Sequence, residues 1–161
     1  MVEPKYTLEE ISYSRKEDCR IIEAVLKNWF NDPKILNFVD PRMPFPFHFK
    51  KWVNLSYQTE ETTTLAIKEE NWIIGYLSMR FQPETMNSHL FHLFIDPKHR
   101  KRGHAEKIVS AMEDHGRELG ANSFSLFVQP KNEAAKKLYK KLGYVETGQS
   151  KTGSFKMEKP A

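Results

Sequence analysis

The chain has 161 residues, which is enough for one domain with a hydrophobic core and short for two. A hydrophobic content of 39% with 11 Phe, 6 Tyr and 3 Trp excludes a disordered chain, while a net charge of +4 predicts attraction to phosphates, nucleic acids or acidic partners. Because no apolar run approaches the roughly 20 residues of a membrane span and the first ten residues lack a signal-peptide core, we predict a cytoplasmic protein without a membrane partner.

The first part of the chain predicts a strand, a helix and then an irregular segment. Residues 6–13 alternate loosely between apolar and polar side chains, as a strand does. Ser14 and Glu17 have the spacing of a capping box, which predicts a helix from there to about residue 30. Residues 34–47 begin with a short helical turn and are rich in proline and aromatic residues, so they either wall a substrate pocket or pack over the core.

The rest of the chain alternates between strand and helix patterns. We predict a helix at 48–57, strands at 62–68, 72–81 and 89–95, a helix at 103–119, a strand at 123–128, a helix at 132–142 and short strands at 144–147 and 155–159. The strand–helix–strand unit favours parallel pairing of its two strands. We therefore predict an α/β fold in which residues 1–161 form a single domain, with a mixed sheet of about six or seven strands flanked by about four helices.

A basic turn connects the strand at 89–95 to the following helix. Residues 98–102 read KHRKR, and Gly103 follows them at the start of the helical pattern. The first turn of a helix has backbone N–H groups without intrahelical partners and a partial positive charge, so it can bind an anion. Gly103 lets an anion approach the backbone closely because it has no Cβ. The alternative is an ordinary connection whose lysines and arginines are merely solvated.

Two sequence motifs in this part of the chain carry a resemblance to a known family. Residues 100–105, RKRGHA, match the R/Q-x-x-G-x-G/A motif of the GNAT superfamily of N-acetyltransferases. Residues 132–144, NEAAKKLYKKLGY, resemble its second motif, N-x-x-A-x-x-L-Y-x-x-x-G-F/Y. Both motifs occur in the expected order about 30 residues apart. The resemblance implies a single-domain GNAT-like fold and the transfer of an acetyl group from acetyl-CoA to a primary amine.

The resemblance also implies which residues hold acetyl-CoA. Backbone groups of the strand before the basic turn would pair with the pantetheine arm like an added strand, and the amides that follow Arg100 would hold the pyrophosphate. Asn132 would either touch the pantetheine or cap its helix. The complete set implied in binding acetyl-CoA is Leu93, Phe94, Ile95, Arg100, Lys101, Arg102, Gly103, His104, Ala105, Glu106 and Asn132.

In this resemblance Tyr139 is the general acid that protonates the departing CoA thiolate. Direct attack of a neutral amine on the thioester needs a polarised carbonyl and a proton for sulfur, and it needs no covalent enzyme intermediate. A phenol with an ordinary pKa of about 10 stays protonated at neutral pH and can donate as charge develops on sulfur. The alternative for Tyr139 is a helix aromatic that packs on the core.

The general base is less well defined by the sequence. One GNAT branch has a glutamate five residues before the motif asparagine, where this chain has Phe127, and another has a glutamate at the position of His89. His89 is the first candidate, His92 the second and Glu84 the third, and a water-mediated mechanism needs no single base. Strand alternation predicts His89 and His92 on opposite faces, so we expect at most one to face the substrate and predict no metal site.

The acceptor has to be inferred from the first half of the chain. Residues 28–32, NWFND, and the aromatic segment after them resemble the GNAT branch that acetylates protein N-termini or amino sugars. This favours a peptide N-terminus or a small primary amine as the acceptor. Four aromatic side chains either line an apolar acceptor pocket or belong to the core, and they are Trp29, Phe45, Phe47 and Trp52.

Two other classes of function stay open at this point. A non-catalytic domain that senses CoA would need the loop at Gly103 but not the hydroxyl of Tyr139. A basic nucleic-acid-binding domain would use the basic turn and the lysines of the helix at 132–142, but nothing in the sequence resembles a recognition helix, so we expect no nucleic-acid partner. The sequence leaves the oligomeric state open, and a homodimer would be unremarkable.

Overall fold

A computed structural model of the chain describes residues 5–59 and 61–161. This part of the chain has the predicted α/β fold, with seven strands in one mixed sheet. The elements are β1 (Tyr6–Ile11), α1 (Lys16–Trp29), α2 (Pro33–Val39), α3 (Phe49–Ser56), β2 (Thr62–Glu69), β3 (Trp72–Gln82), β4 (Asn87–Ile95), a 3₁₀ turn (Pro97–His99), α4 (His104–Glu118), β5 (Ser123–Val128), α5 (Glu133–Lys141), β6 (Val145–Gln149) and β7 (Phe155–Pro160). No helix within the described ranges is long and apolar enough to span a membrane.

The sheet contains one parallel pair of strands. Its strand order is β1-β2-β3-β4-β5-β7-β6, and all neighbours are antiparallel except β4 and β5. α4 forms the crossover between β4 and β5, as predicted. The two parallel strands pair only over residues 87–89 and 123–125. Beyond residue 89 they separate, which leaves a split in the sheet.

Helices cover both faces of the sheet. On one face α4 and α5 pack on the sheet around a core that contains Met112 and Leu126, both of which are almost completely buried. On the other face α1, α2 and α3 surround a second core that contains Leu26, Trp52 and Phe94. β4 contributes side chains to both cores, so any irregularity in this strand affects both faces.

The structure contains one helix more than the four that were predicted. The helical turn expected at the start of residues 34–47 belongs to the complete helix α2. Pro33 occupies its first turn, and the Asp32 carboxylate accepts a hydrogen bond from the Lys34 amide at 2.8 Å. Both features favour helix initiation, because proline suits the first position and aspartate satisfies a free backbone donor.

The capping box predicted at Ser14 and Glu17 is wrong. The residue that precedes α1 is Arg15, and its side chain makes no capping hydrogen bond. The chain is held differently at this point, because the carboxylate of Asp18 in the first turn accepts a hydrogen bond from the Ser12 amide at 3.0 Å.

The aromatic and proline-rich segment packs over the second core for part of its length. Trp29 and Trp52 are buried, and the ring centroid of Phe47 lies 5.5 Å from that of Trp52. Phe45 remains 47% exposed. Of the two alternatives for these aromatic residues, the structure therefore supports the core for Trp29, Phe47 and Trp52.

Candidate active site

A cavity of about 570 Å³ lies at the split in the sheet. This central cavity is bounded by the end of β4, the start of α4, α5 and α2, and its volume lies within the roughly 300–1,000 Å³ typical of small-molecule sites. Its lining contains ten of the eleven residues that the resemblance implies in binding acetyl-CoA. These are Leu93, Phe94, Ile95, Arg100, Lys101, Gly103, His104, Ala105, Glu106 and Asn132.

Two residues of the predicted set are engaged with other parts of the protein. Arg102 is exposed outside the cavity lining, and its guanidinium donates a hydrogen bond to the Tyr6 hydroxyl at 3.2 Å. The Asn132 side chain accepts a hydrogen bond from the Ala135 amide at 3.2 Å and so caps α5. Of its two implied roles, the structure therefore shows capping, although Asn132 also lines the cavity.

The start of α4 forms a cradle of free backbone amides. Gly103 precedes the helix with φ 79°, and a Cβ added there would meet no atom of the described residues within 4 Å. No side chain of the described residues caps this end of α4, so the amides of His104, Ala105 and Glu106 are available to an anion. Arg100 is held at the rim, where its Nε donates to the Ile95 carbonyl at 2.9 Å.

His104 has a buried imidazole beside this cradle. The residue is 3% exposed, and within residues 5–59 and 61–161 neither ring nitrogen has a hydrogen-bond partner. Its ring packs edge-on against Tyr6, with 4.5 Å between the ring centroids. Burial lowers the pKa of His104, and the neighbouring Lys107 lowers it further, so the ring is neutral near pH 7. Both ring nitrogens are buried, so the imidazole does not face a ligand in the cavity.

The open edge of β4 provides the second binding element. Residues 90–95 have no partner on β5, so their backbone groups on that side can bind an extended chain as an added strand would. His92 has φ 60°, and the β3–β4 register shifts between the pairs that contain Phe91 and Phe94. This β-bulge bends the strand where it leaves β5.

The bulge also overturns the predicted alternation of the two histidines. His89 stacks with Phe91 at a centroid distance of 6.5 Å, and Phe91 contacts His92 edge-on at 4.8 Å. His92 stacks on Trp52 at 3.9 Å, on the face covered by α1 to α3. His89 and His92 therefore lie on the same face, because the extra residue of the bulge shifts the alternation by one.

Tyr139 lies in the core beneath the cavity. It is 6% exposed, and its ring packs edge-on against Tyr144 at 5.6 Å. Its neighbours on α5, Ala135 and Leu138, line the cavity, whereas Tyr139 is outside the lining. Burial raises the pKa of Tyr139 well above its ordinary value, so the hydroxyl is protonated at any physiological pH.

The candidate bases occupy different ends of β4. Glu84 is exposed in the β3–β4 turn, at the end remote from the cavity. His89 lies where the split begins, and its Nδ1 is 2.8 Å from the Ser125 hydroxyl. Burial is the main cause that lowers the pKa of His89 to about 4, and the charge of Arg80 contributes to the shift. His89 is therefore neutral at pH 7 and able to accept a proton, although weakly.

Residues 20–144, more than three quarters of the chain, match the sequence profile described as the Acetyltransferase (GNAT) family. The chain belongs to this family. Among curated relatives, the uncharacterised N-acetyltransferase YycN of Bacillus subtilis is 28% identical over 86 residues, which cover 52% of this chain and 54% of YycN. The catalytic subunit NAA20 of the N-terminal acetyltransferase B complex of Arabidopsis thaliana is 31% identical over 78 residues, which cover 47% and 45%. The GNAT chain thus spans about half the length of these two relatives.

Solved structures of GNAT proteins share the fold of this chain. The GNAT domain of S. lividans PAT superposes with a TM-score of 0.81 at 15% identity, covering 96% of this chain and 89% of that domain. Spermidine N-acetyltransferase from Vibrio cholerae, in complex with CoA and spermine, gives 0.73 at 18% identity, covering 96% and 95%. The predicted single-domain GNAT-like fold is confirmed.

The GNAT chain also contains a buried polar network that the sequence reasoning missed. The carboxylate of Asp40 accepts hydrogen bonds from His92 Nε2 at 2.7 Å and from two nitrogens of Arg42 at 3.0 and 2.9 Å. The Nδ1 of His92 lies 2.7 Å from the hydroxyl of Tyr57, which accepts a hydrogen bond from the hydroxyl of Tyr76 at 2.5 Å. Together with Ser56, which binds Arg42 through its hydroxyl at 2.8 Å, these residues are called the polar network below.

The polar network fixes the protonation states of its members. Burial opposes ionisation of Asp40, but the hydrogen bonds from His92 and Arg42 outweigh it and lower the pKa of Asp40 well below its usual range. Burial lowers the pKa of His92, so its ring is neutral, donates from Nε2 to Asp40 and accepts at Nδ1. Both ring nitrogens are occupied, which disfavours His92 as a base. Within the described ranges no cluster of three His, Cys, Asp or Glu side chains could hold a metal ion.

Proposed function

We propose that this chain is an N-acetyltransferase that moves the acetyl group of acetyl-CoA to a primary amine by direct attack in a ternary complex. The observation that carries the proposal is the central cavity, in which the amide cradle at Gly103 and the open edge of β4 meet. The cradle suits a pyrophosphate, and the edge suits the amide-containing pantetheine arm. This match in chemistry supports CoA rather than a nucleic acid as the ligand of the basic turn.

In this proposal residues of β4 orient the acetyl group and accept a proton, and a residue of α5 donates a proton. Acetyl-CoA supplies the activated acyl group, and backbone groups near Leu93 orient its carbonyl. The nitrogen of the acceptor forms the new bond to the carbonyl carbon as the carbon–sulfur bond breaks. Tyr139 donates its proton to the departing thiolate, directly or through water that reaches the core from the cavity. His89, or a water molecule bound to it, accepts the proton that the amine loses.

The first test is isothermal titration of the purified protein with acetyl-CoA and with CoA, followed by assays with peptide and small-amine acceptors. The wild type should bind both, and Gly103→Glu should weaken binding at least 100-fold, since a carboxylate would occupy the cradle. Gly153→Glu is the matched control, because Gly153 also has a positive φ, 90°, with no described atom near its Cβ position, but lies in the β6–β7 turn. Equal losses in both variants would indicate backbone strain and contradict the cradle.

A second candidate function is a domain that binds CoA without catalysis. It is favoured by the position of Tyr139 outside the cavity lining and by the weak basicity of His89. Tyr139→Phe separates the two candidates. An enzyme that uses this hydroxyl loses about 100-fold in kcat with little change in CoA affinity. Unchanged turnover would remove Tyr139 from the mechanism, and no turnover by the wild type would favour the binding domain.

Compartment and assembly remain predictions. A cytoplasmic location is predicted from the sequence, in which no apolar run is long enough for a membrane span. The homodimer is also a prediction, and size-exclusion chromatography with light scattering would test it. A dodecameric structure of the spermidine N-acetyltransferase from Vibrio cholerae is among the proteins with this fold.

A further inference from the structure

The sheet face beside the split carries a group of aromatic side chains around His89. Phe91 stacks with His89, and the ring of Phe127 lies 5.3 Å from it at an inclined angle. Phe127 is 49% exposed, so this face is not sealed by the helices. If the proposed function holds, the amine must approach the acyl group here, because the split begins at His89. We call the surface formed by His89, Phe91 and Phe127 the acceptor face.

Arg80 lies beside the acceptor face and has no ion-pair partner among the described residues. It is directly opposite His89 in the antiparallel β3–β4 pair, so the two side chains share one face of the sheet. Its guanidinium lies over the ring of Phe91, with 5.1 Å between Cζ and the ring centroid. Among residues 5–59 and 61–161, no carboxylate lies within ion-pair distance of Arg80, and its buried Nε has no hydrogen-bond partner.

The polar network holds a second arginine next to Arg80. Ser56 binds both side chains, since its hydroxyl accepts from Arg42 at 2.8 Å and its carbonyl accepts from Arg80 at 3.1 Å. Arg42 is already neutralised by its two hydrogen bonds to Asp40. Among residues 5–59 and 61–161, the two arginines and Asp40 therefore leave one positive charge, which belongs to Arg80.

Other charges near the acceptor face are largely balanced. Lys156 is opposite Phe127 in the β5–β7 pair, and its Nζ lies 3.8 Å from the carboxylate of Glu158. Arg80 is thus the group whose charge is not offset nearby within the described residues. A guanidinium that is fixed by a carbonyl and an aromatic ring but retains unused N–H donors is prepared to bind an oxyanion.

We propose that Arg80 binds a carboxylate of the acceptor, so that the preferred substrates are amines that carry an acidic group within a few bonds of the amine. Neighbouring strands are about 4.8 Å apart, so Arg80 on β3 is within side-chain reach of a substrate that lies at the split beside β4. The aromatic rings would pack on the aliphatic part of such a substrate. Ser56 is a positioning residue, because it fixes the guanidinium without touching the substrate.

The test compares substrates that differ only in the charge of one group. Initial rates would be measured with heptapeptides that have Glu or Gln at position 1 or at position 2, and with free glutamate and glutamine. We expect the wild type to prefer the acidic member by about tenfold in kcat/KM in one of these arms. The substrate pair that shows the preference indicates whether the acceptor is an acidic peptide or a free acidic amino acid.

Variants then assign the preference to Arg80. In Arg80→Gln the ratio of kcat/KM for the acidic substrate to that for the amide substrate should fall to about one. Arg80→Lys should give an intermediate ratio, because lysine keeps the charge but not the paired N–H donors of the guanidinium. Lys16→Gln is the control, since Lys16 is an exposed cation at the start of α1, and it should keep the wild-type ratio. A ratio is independent of the fraction of each variant that folds.

The outcomes separate this inference from the proposed function on which it rests. Turnover of other amines with a wild-type ratio near one in every arm would overturn the inference and leave the acetyltransferase proposal intact. A ratio that survives in Arg80→Gln would also overturn it. No turnover of any amine by a protein that binds acetyl-CoA would overturn the proposed function, and this inference with it.

Discussion

The central cavity and the polar network both adjoin β4, but they consist of different kinds of groups. The cavity offers backbone amides around Gly103 and an unpaired strand edge, and small side chains such as Ala105 leave that backbone accessible. The polar network consists of side chains, and its Asp40, Ser56 and His92 come from three separate parts of the fold. The cavity presents backbone groups, which any sequence with the same conformation would have. The polar network depends on the identity of each of its side chains.

This difference predicts different responses to substitution. A backbone site tolerates most changes that preserve the conformation and fails when a side chain fills it. A buried network of hydrogen bonds fails when one member is removed, because the remaining donors and acceptors stay buried without partners. The cavity should therefore be vulnerable to added bulk and the polar network to deletion.

The largest stability effect should come from deletion of Asp40. In Asp40→Ala the buried Nε2 of His92 loses its acceptor, whereas the largely exposed Arg42 can turn to solvent, and we expect the free energy of unfolding to fall by about 2 kcal/mol. Urea denaturation followed by circular dichroism measures it. Asp114→Ala is the control, because Asp114 also pairs with an arginine but is 71% exposed, and it should cost less than about 0.5 kcal/mol. Similar losses in the two variants would contradict the importance of the polar network.

The same contrast explains how much the sequence could predict. One wall of the cavity was predictable from local order, because Gly103 with the basic residues before it marks a strand-to-helix turn. The crossover predicts that β4 and β5 pair in parallel, but it does not predict that the pairing ends at residue 89 and leaves the edge of β4 open. The rest of the ten residues, including Asn132 at the start of α5, were implied by the resemblance to the GNAT motifs and not by local order.

The polar network was not predictable, because its members have no common spacing. Tyr57 and His92 are 35 positions apart, and His92 and Asp40 are 52 positions apart, so only the folded chain brings them together. The bulge at His92 shifted the alternation on which the assignment of the two histidines depended. A histidine in an apolar strand was the one available signal, and it does not identify the aspartate.

A smaller effect should appear in the pH dependence of stability, through His89. Its pKa is lowered in the folded protein to about 4 from an ordinary 6.5, so between these values the unfolded chain binds a proton that the folded chain does not. Stability should therefore fall as the pH is lowered from about 6.5 to 4. We expect His89→Gln to reduce this loss of stability by about 1–2 kcal/mol. This is less than the full pKa shift would give, because His89 is partly exposed and solvent screens its charge.

The measurement is a series of urea titrations of both proteins between pH 4 and 8. The comparison uses slopes against pH rather than absolute stabilities, because His89→Gln also alters the hydrogen bond to Ser125. Parallel curves for the two proteins would mean that His89 titrates normally in the folded state. That result would restore His89 as an ordinary base with a pKa near neutrality, and the positive charge of Arg80 would then have little effect on that pKa.

The smallest effect should distinguish two arginines of the basic turn that the sequence motif treats alike. Arg100 lines the cavity and its side chain lies over the ring of Phe94, whereas Arg102 is exposed and bonds to Tyr6. We expect Arg100→Gln to weaken CoA binding by roughly tenfold, the size of one charge-assisted phosphate contact, and Arg102→Gln by less than about twofold. Isothermal titration at two salt concentrations measures both, and the loss for Arg100 should shrink at high salt. Equal losses would mean that the cradle works by the summed charge of the turn, and the backbone amides would then carry less of the binding than the open space around Gly103 indicates.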